Sequence, residues 1–560
     1  MKNLPKQMRD VLQLAACLGA SFQEEVLSKV VTDYFASQEG APKSSQLSKW
    51  LTKAIEAWFI KIDNAGYRWV HDGVQEAALC IAGATGLTKT RFQVGKILLR
   101  RLSKQEMDQS LFVVVNLLNV GIGTEVSSGS AVTFAELNLR AAQRAMRLSG
   151  FEIAASYSDV AISLLPEGHW QPQYKLSTKL HTLAIQAHGV LGNVETMQSL
   201  YDEVLGQPDI PLKDRLPLYS AMLESLSGRD PLAAKELANE VLEQLNHPLM
   251  KTRRKLSVFN CFSVIKAYDR NLNPDMVSTL PTMIDENAIA AMKILSSLLI
   301  LTYMTNKTEL PAVTSKMASL VNTFGVCDEA ANAYCYRGSF ATNAKFAKRI
   351  MDRSKDRYSK AASKMYIYCL MSHTRDIQWV QKAYEENYHY SLQVGDVQMA
   401  LYCFMHVLDY ALVTGHSLES TAAEARHTIR SLQLMNRGWQ IDLMRILWQG
   451  VLNMQGQSED PFVLKGEAMD ETAMAPASPG TLDGALRIGF KAIIFAFCGN
   501  HQANADEHMD HIQAAAIQLA GNGTGFWYEI YTAISCLHCA RSASGGQFQK
   551  YKRFCLKDVH

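Results

Sequence analysis

The sequence predicts an all-α protein: a small N-terminal domain carrying one β-hairpin, then an α-solenoid of helical hairpins. Two observations carry this. One short pattern recurs, in which a glycine and a few polar residues precede a small or slim residue opening an apolar helix. It reads Gly150-Phe-Glu-Ile-Ala154, Gly192-Asn-Val-Glu-Thr-Met197 and Gly228-Arg-Asp-Pro-Leu-Ala233, with related turns at Gly395-Asp-Val-Gln-Met-Ala400 and Gly499-Asn-His-Gln-Ala-Asn504. The first three are spaced near the roughly 34–47-residue period of helix-pair arrays. Glycine past a helix end takes the left-handed conformation at little cost, Asn193 or Asp230 caps the next helix, and the small residue lets two helices cross closely. The second observation is length. A chain of 560 residues is too long for one core, and a solenoid evades that limit.

Bulk composition excludes several classes. The formal charge of +2 sets up no whole-protein field toward nucleic acid, acidic lipid or acidic substrate. The 11 cysteines are odd in number and scattered, which favours a reducing, cytoplasmic setting. Leu14-Ala-Ala-Cys17 has the spelling of a lipoprotein cleavage site, but the apolar run before it is short and interrupted by Gln13, whereas a secretory core needs roughly 7–15 apolar residues. No window holds the ~18 consecutive apolar residues of a membrane span, and the run at 294–301 already contains two serines, so no membrane partner is expected.

In chain order, Val11, Leu12, Leu14, Ala15 and Leu18 form one helical stripe ended by Gly19. Phe22, Val26, Leu27 and Val30 predict a second helix, and Leu47, Leu51, Ile55 and Trp58 a third. Residues 59–62 and 67–70 then read as two strands around the turn Asp63-Asn-Ala-Gly66. Three helices and a hairpin outline a winged helix over residues 1–85. Its third helix has only Lys49 and Lys53 as bases, with Glu56 against them, and Trp50, Leu51, Trp58 and Phe59 dominate it. DNA reading needs several side chains that reach bases and phosphates, so this wing is expected to pack on protein.

Residues 86–454 read as the repeat array. Ala154, Ala161 and Pro166 match the small, small and terminating positions in the second helix of a tetratricopeptide (TPR) repeat, making the hairpins TPR-like. Residues 455–484, with several prolines and glycines among acids, read as an irregular connection. Residues 485–541 read as a terminal helical hairpin and helix, and 542–560 as a polar, frayed tail.

Candidate chemistry is sparse. Gly83-Ala-Thr-Gly-Leu-Thr-Lys89-Thr90 has Thr88 where a phosphate loop needs glycine before lysine, and reads as a loop between helices. His508 and His511 lie one turn apart, and Cys536, His538 and Cys539 cluster further on. Neither group has an obvious second pair of ligands, so no metal is expected. Lys251-Thr-Arg-Arg-Lys255 reads as a solvated helix end. No catalytic residue is assigned, and no GxSxG, HExxH or kinase catalytic loop is present.

Tyr67-Arg-Trp-Val-His-Asp-Gly-Val-Gln-Glu-Ala-Ala78 resembles the Tyr-Arg-Phe-x-His-Asp-x-Val-Gln-x-Ala-Ala segment of large signalling proteins. Those proteins join a protein-kinase-like domain, a STAND-class AAA-type ATPase, a helical-repeat region, a GAF domain and often a histidine kinase. Leu12-Gln-Leu-Ala-Ala-Cys-Leu-Gly19, Val94-Gly-Lys-Ile-Leu-Leu99, Gly395-Asp-Val-Gln-Met-Ala400 and Ser458-Glu-Asp-Pro-Phe-Val-Leu-Lys-Gly-Glu-Ala-Met-Asp470 resemble landmarks of the same region, in the same order. The resemblance covers residues 1 to about 541. It implies that His71 faces the phosphates of ADP bound to an ATPase domain and that Asp72 caps or braces the following helix. On the residues alone, Asp72 simply caps the helix at Val74, with His71 packed at the domain edge.

The function expected is a non-enzymatic regulatory and scaffold module. It would dock on an ATPase or kinase domain, in cis or in trans, through the winged helix and bind other proteins through the array. It has no cofactor of its own; ADP or ATP would enter only with an ATPase domain. The ATPase core that the resemblance places before this region, and the GAF and kinase domains it places after, are not in these 560 residues. Two alternatives stand beside this: a fragment of a larger ATPase or kinase whose catalytic domains lie outside the chain, and a winged-helix transcriptional regulator.

Overall fold

The computed structural model describes residues 4–36, 44–63, 66–122, 128–249, 274–335, 340–433, 438–519 and 525–557. Among these are 24 α-helices and one three-stranded sheet. The chain divides into two compact units, Met1–Ala187 and His188–His560. The basic run at 251–255 lies outside the described residues.

The first unit begins with α1 (Lys6–Cys17), β1 (Ser21–Phe22), α2 (Glu24–Tyr34), α3 (Ser44–Glu56), β2 (Ile60–Asp63) and β3 (Gly66–Trp69). The sheet order is β1-β3-β2, antiparallel throughout, with Phe22 opposite Tyr67 and Ile60 opposite Trp69. Periodicity places Phe22 on the second helix; it lies instead in β1, a strand too short to leave a period-2 signal. Gly66 makes this sheet possible, because at φ +120° a Cβ there would stand 2.7 Å from the Phe22 carbonyl. Glu24 locks helices to sheet, accepting from Ser48 Oγ at 2.8 Å and from the Tyr67 hydroxyl at 2.9 Å. The stripe of α1 is buried as predicted, with Val11, Leu12, Leu14 and Ala15 at 1% exposure or less.

Trp58 departs from its expected place. The spacing puts it on the apolar stripe of α3, yet the helix ends at Glu56 and Trp58 is 78% exposed at φ 56°. Its N–H donates to the Ile55 carbonyl and that of Phe59 to the Ala54 carbonyl, both at 2.9 Å. This paired capping arrangement needs a left-handed residue at the position Trp58 holds, and glycine is the usual occupant.

The unit continues with α4 (Asp72–Leu79), α5 (Gly83–Arg101), α6 (Lys104–Asn119), α7 (Ser128–Arg147) and α8 (Phe151–Ser163). The glycine-rich stretch 83–90 is the first turns of α5, not a loop; Leu87 and Thr90 fit its inward face, and Thr90 is buried. Ser103 and Glu106 form a reciprocal cap on α6. Helices α7 and α8 pack as a hairpin across Gly150, with Ala154 and Ala161 fully buried.

In the second unit, hairpins form across Gly228, Gly395 and Gly499, pairing Leu212–Ser227 with Pro231–Gln244, Ile377–Val394 with Val397–Val413, and Leu482–Phe497 with His501–Leu519. Gly192, Gly395 and Gly499 have φ between +73° and +84°. Gly150 and Gly228 do not, contrary to the expectation for them. At the first turn Ser149 takes the left-handed position, at φ 58°. At the second, Gly228 stays right-handed, and Asp230 turns the chain and accepts from the Ala233 N–H at 3.0 Å.

Glu286–Thr305 is the one helix, among the described residues, long and apolar enough to cross a membrane. Counting unbroken apolar residues overlooks it because serines and threonines interrupt the run. Here it is mostly buried, packed against Leu212–Ser227, Pro231–Gln244 and Leu310–Phe324. Two glycines allow close helix contact nearer the C-terminus: a Cβ on Gly450 or Gly489 would stand 2.3 Å from the ring of Phe490 or Tyr528 respectively. The end of the chain is also ordered. Gly545–Lys557 is a helix rather than a frayed tail, because Tyr551, Phe554 and Cys555 share one face and are buried against Gly525–Ala540.

Candidate interaction surfaces

His71, not Asp72, caps α4. Its backbone is extended (φ −147°, ψ 144°) and its Nδ1 accepts from the Gly73 N–H at 3.1 Å. In the neutral ring that bond puts the proton on Nε2, leaving Nε2–H as a donor toward solvent from an exposed residue. Asp72 is the first residue of α4, exposed, with its charge at the favourable end of the helix dipole. The position is held by hydrogen bonds between α4 and α1: Gln75 Nε2 donates to the Ala16 carbonyl at 3.1 Å and Gln13 Nε2 to the Leu79 carbonyl at 3.2 Å.

Exposed apolar groups cluster in sequence on and beside the adjoining hairpin, at Trp58 in the turn before β2, Ile62 (69% exposed) in β2 and Val70 just after β3. The outer face of α3 presents Lys49 and Lys53 with Glu56, while Trp50 and Leu51 are buried. Sequence reasoning missed Trp58 as a surface group because helical spacing runs on through the cap; only the loss of regularity after Glu56 would have marked it.

A second surface lies on the same unit. Lys104, Asp108, Arg140, Gln143, Arg144 and Arg147 line an open groove of about 890 Å³ between α6 and α7. Arg140 pairs with Asp108 at 2.6 Å, and Arg144 donates to the Asp108 carbonyl with its guanidinium 5.3 Å from the Phe112 ring centre.

Of the remaining candidates, His508, Cys536 and Cys539 are buried, whereas His511 and His538 are exposed. His508 is buried with its ring edge-on to Phe495 at 5.2 Å, and desolvation lowers its pKa to about 4. His406 is buried against the Tyr384 ring, its pKa likewise lowered to about 4 by desolvation. Cys536 and Cys539 are buried, and the His538 ring lies 4.3 Å from that of His501. Among the described residues no three histidine, cysteine or acidic side chains are gathered to hold a metal. The buried thiols of Cys369 and Cys17 are pushed up to about 11 by desolvation, which keeps them protonated and unreactive.

No family model matches the sequence, and no curated protein matches it significantly. Among solved structures, the chain is similar to a STAND protein (signal transduction ATPase with numerous domains) with a tetratricopeptide repeat sensor from Pyrococcus horikoshii. The identity is 14% and the TM-score 0.32, over 82% of this chain and 61% of that one. It is also similar to a circular tandem repeat protein of novel repeat topology, at 13% identity and a TM-score of 0.11, over 98% of this chain and 96% of that one. Superpositions this loose do not place the chain in either fold. What the structure itself shows, among the described residues, is a helical chain built largely of repeated hairpins, with one small sheet near its N-terminus.

Proposed function

We propose that the chain is a non-enzymatic, cytoplasmic scaffold module of signal transduction. Its residues 1–85 form a winged helix that docks on an ATPase domain, and its TPR-like hairpins bind further protein partners. The helix and strand order, with β1 pairing to β3 and β2 at the edge, supports the winged-helix reading. Trp58 carries the docking reading. A bulky residue in the left-handed region is strained by about 1–2 kcal/mol, and glycine would relieve it. Trp58 is nonetheless held there with most of its surface in water. Such a residue returns little to the fold, whereas tryptophan is a preferred anchor of protein interfaces. His71 stands two residues past β3 with Nε2–H free to meet an acceptor, consistent with a donor to a nucleotide phosphate on the docked domain.

The test is to isolate the tagged chain with its partners from native cells and assay the bound fraction for ADP and ATP. Wild-type chain is expected to bring down a nucleotide-loaded ATPase, Trp58→Gly to lose it, and His71→Ala to keep the partner but release ADP faster. Equal recovery of the ATPase by Trp58→Gly would refute the docking role.

A further inference from the structure

We infer that the α6–α7 groove is a receptor site for an acidic segment of another polypeptide. Arg140, Arg144 and Arg147 fall at i, i+4 and i+7 on one face of α7, so the helix sets three like charges side by side. Lys104 adds a fourth from the first residue of α6, where the helix dipole disfavours a cation. Against these four bases the lining supplies one acid, Asp108. Its carboxylate is taken by Arg140 and its carbonyl by Arg144. Among the described residues, Lys104 and Arg147 have no ion-pair partner. The fold therefore maintains a self-repelling cationic strip in a concave surface, and carboxylates entering it would relieve that repulsion through charge-assisted hydrogen bonds.

The groove's neutral groups favour polypeptide over nucleic acid. Gln105, Gln109 and Gln143 offer amides that match a peptide backbone, and Leu148 stands 66% exposed on the lining. Beyond these four bases the rest of the chain has no net positive charge with which to follow a phosphate backbone. The occupant is thus an acidic stretch followed by an apolar residue that covers Leu148. Choosing polypeptide rests on the protein-binding reading above, but the site shares no residue with the Trp58 surface.

The experiment uses the full chain and two labelled probes, a short glutamate-rich peptide ending in leucine and a single-stranded oligonucleotide of equal charge, titrated by fluorescence anisotropy. The peptide is expected to bind with affinity that falls as salt rises, and Lys104→Glu or Arg147→Glu to weaken it by about tenfold. Leu148→Ser should weaken it independently of salt. Both cationic side chains are exposed, and unchanged circular dichroism and melting would show that the variants remain folded. Peptide binding that is absent, or indifferent to both charge reversals, overturns the site. Oligonucleotide binding at equal or higher affinity, lost in the same variants, overturns it in favour of nucleic acid. Failure of docking at Trp58 would leave the peptide titration unaffected, so the two readings fail separately.

Discussion

Tyr528 donates its hydroxyl to Asp409 Oδ1 at 3.2 Å, joining residues 119 apart in sequence within the second unit. Both side chains are buried, and desolvation with the nearby Asp409 charge raises the Tyr528 pKa well above its usual value, so the phenol stays a donor. Tyr528 also fills the space that Gly489 leaves open, so the hydrogen bond and the ring packing fix the same helices. Tyr528→Phe is expected to lower the stability of this unit by about 1–3 kcal/mol, the usual cost of leaving a buried acceptor unsatisfied. A double-mutant cycle with Asp409→Ala in urea unfolding measures the coupling, and a value near zero would mean that the contact contributes nothing.

The buried histidines set the response to acid. His406 and His508 ordinarily titrate at 6.5 but are held near 4 in the fold by desolvation. Below pH 6.5 the unfolded chain takes up protons that the folded chain refuses, so stability rises with pH across the window from 4 to 6.5 and is lost as pH falls through it. Each group contributes at most about 3 kcal/mol. His406→Phe keeps the ring against Tyr384 and should flatten the slope of unfolding free energy against pH in that window. An unchanged slope would show that His406 is not held neutral.

The turn glycines separate into two kinds. Gly395, at φ +81°, has open space around it, so Gly395→Ala strains only the backbone and should destabilise by about 1 kcal/mol. Gly150 has a negative φ of −86°, and an added Cβ meets its nearest neighbour, the Ala145 carbonyl, at 3.5 Å, an ordinary contact. Gly150→Ala should therefore be neutral or slightly stabilising. Thermal melts of the two variants decide this, and equal losses would contradict the distinction.

The hairpins were legible in the sequence because apolar residues at helical spacing and a small residue after each turn are local signals. Which residue takes the left-handed position was not, since Ser149 and Gly150 are neighbours and either can turn the chain. The first strand, Ser21–Phe22, was illegible because two residues cannot alternate. The last helix escaped notice because Tyr551, Phe554 and Cys555 sit among polar residues, and their burial depends on a surface supplied by Gly525–Ala540. Of the candidate surfaces, the His71-Asp72 pair was visible as a pattern, although the cap expected of Asp72 is made by His71. The cationic groove was not visible, because it needs α6 and α7 side by side.

At Trp58 the same reasoning predicts opposite effects on folding and binding. Trp58→Gly removes left-handed strain, while glycine's freedom in the unfolded chain offsets part of the gain. Stability should stay level or rise by up to about 1 kcal/mol. A clear drop in melting temperature would show that the indole supports the fold instead.

The most direct measurement is to replace Trp58 with a photo-cross-linking amino acid, irradiate native cells, and sequence what becomes attached. Covalent capture of a polypeptide carrying a nucleotide-binding phosphate loop is the predicted result. Capture of DNA, or of only this chain's own segments, would contradict the claim that this hairpin docks on an ATPase domain.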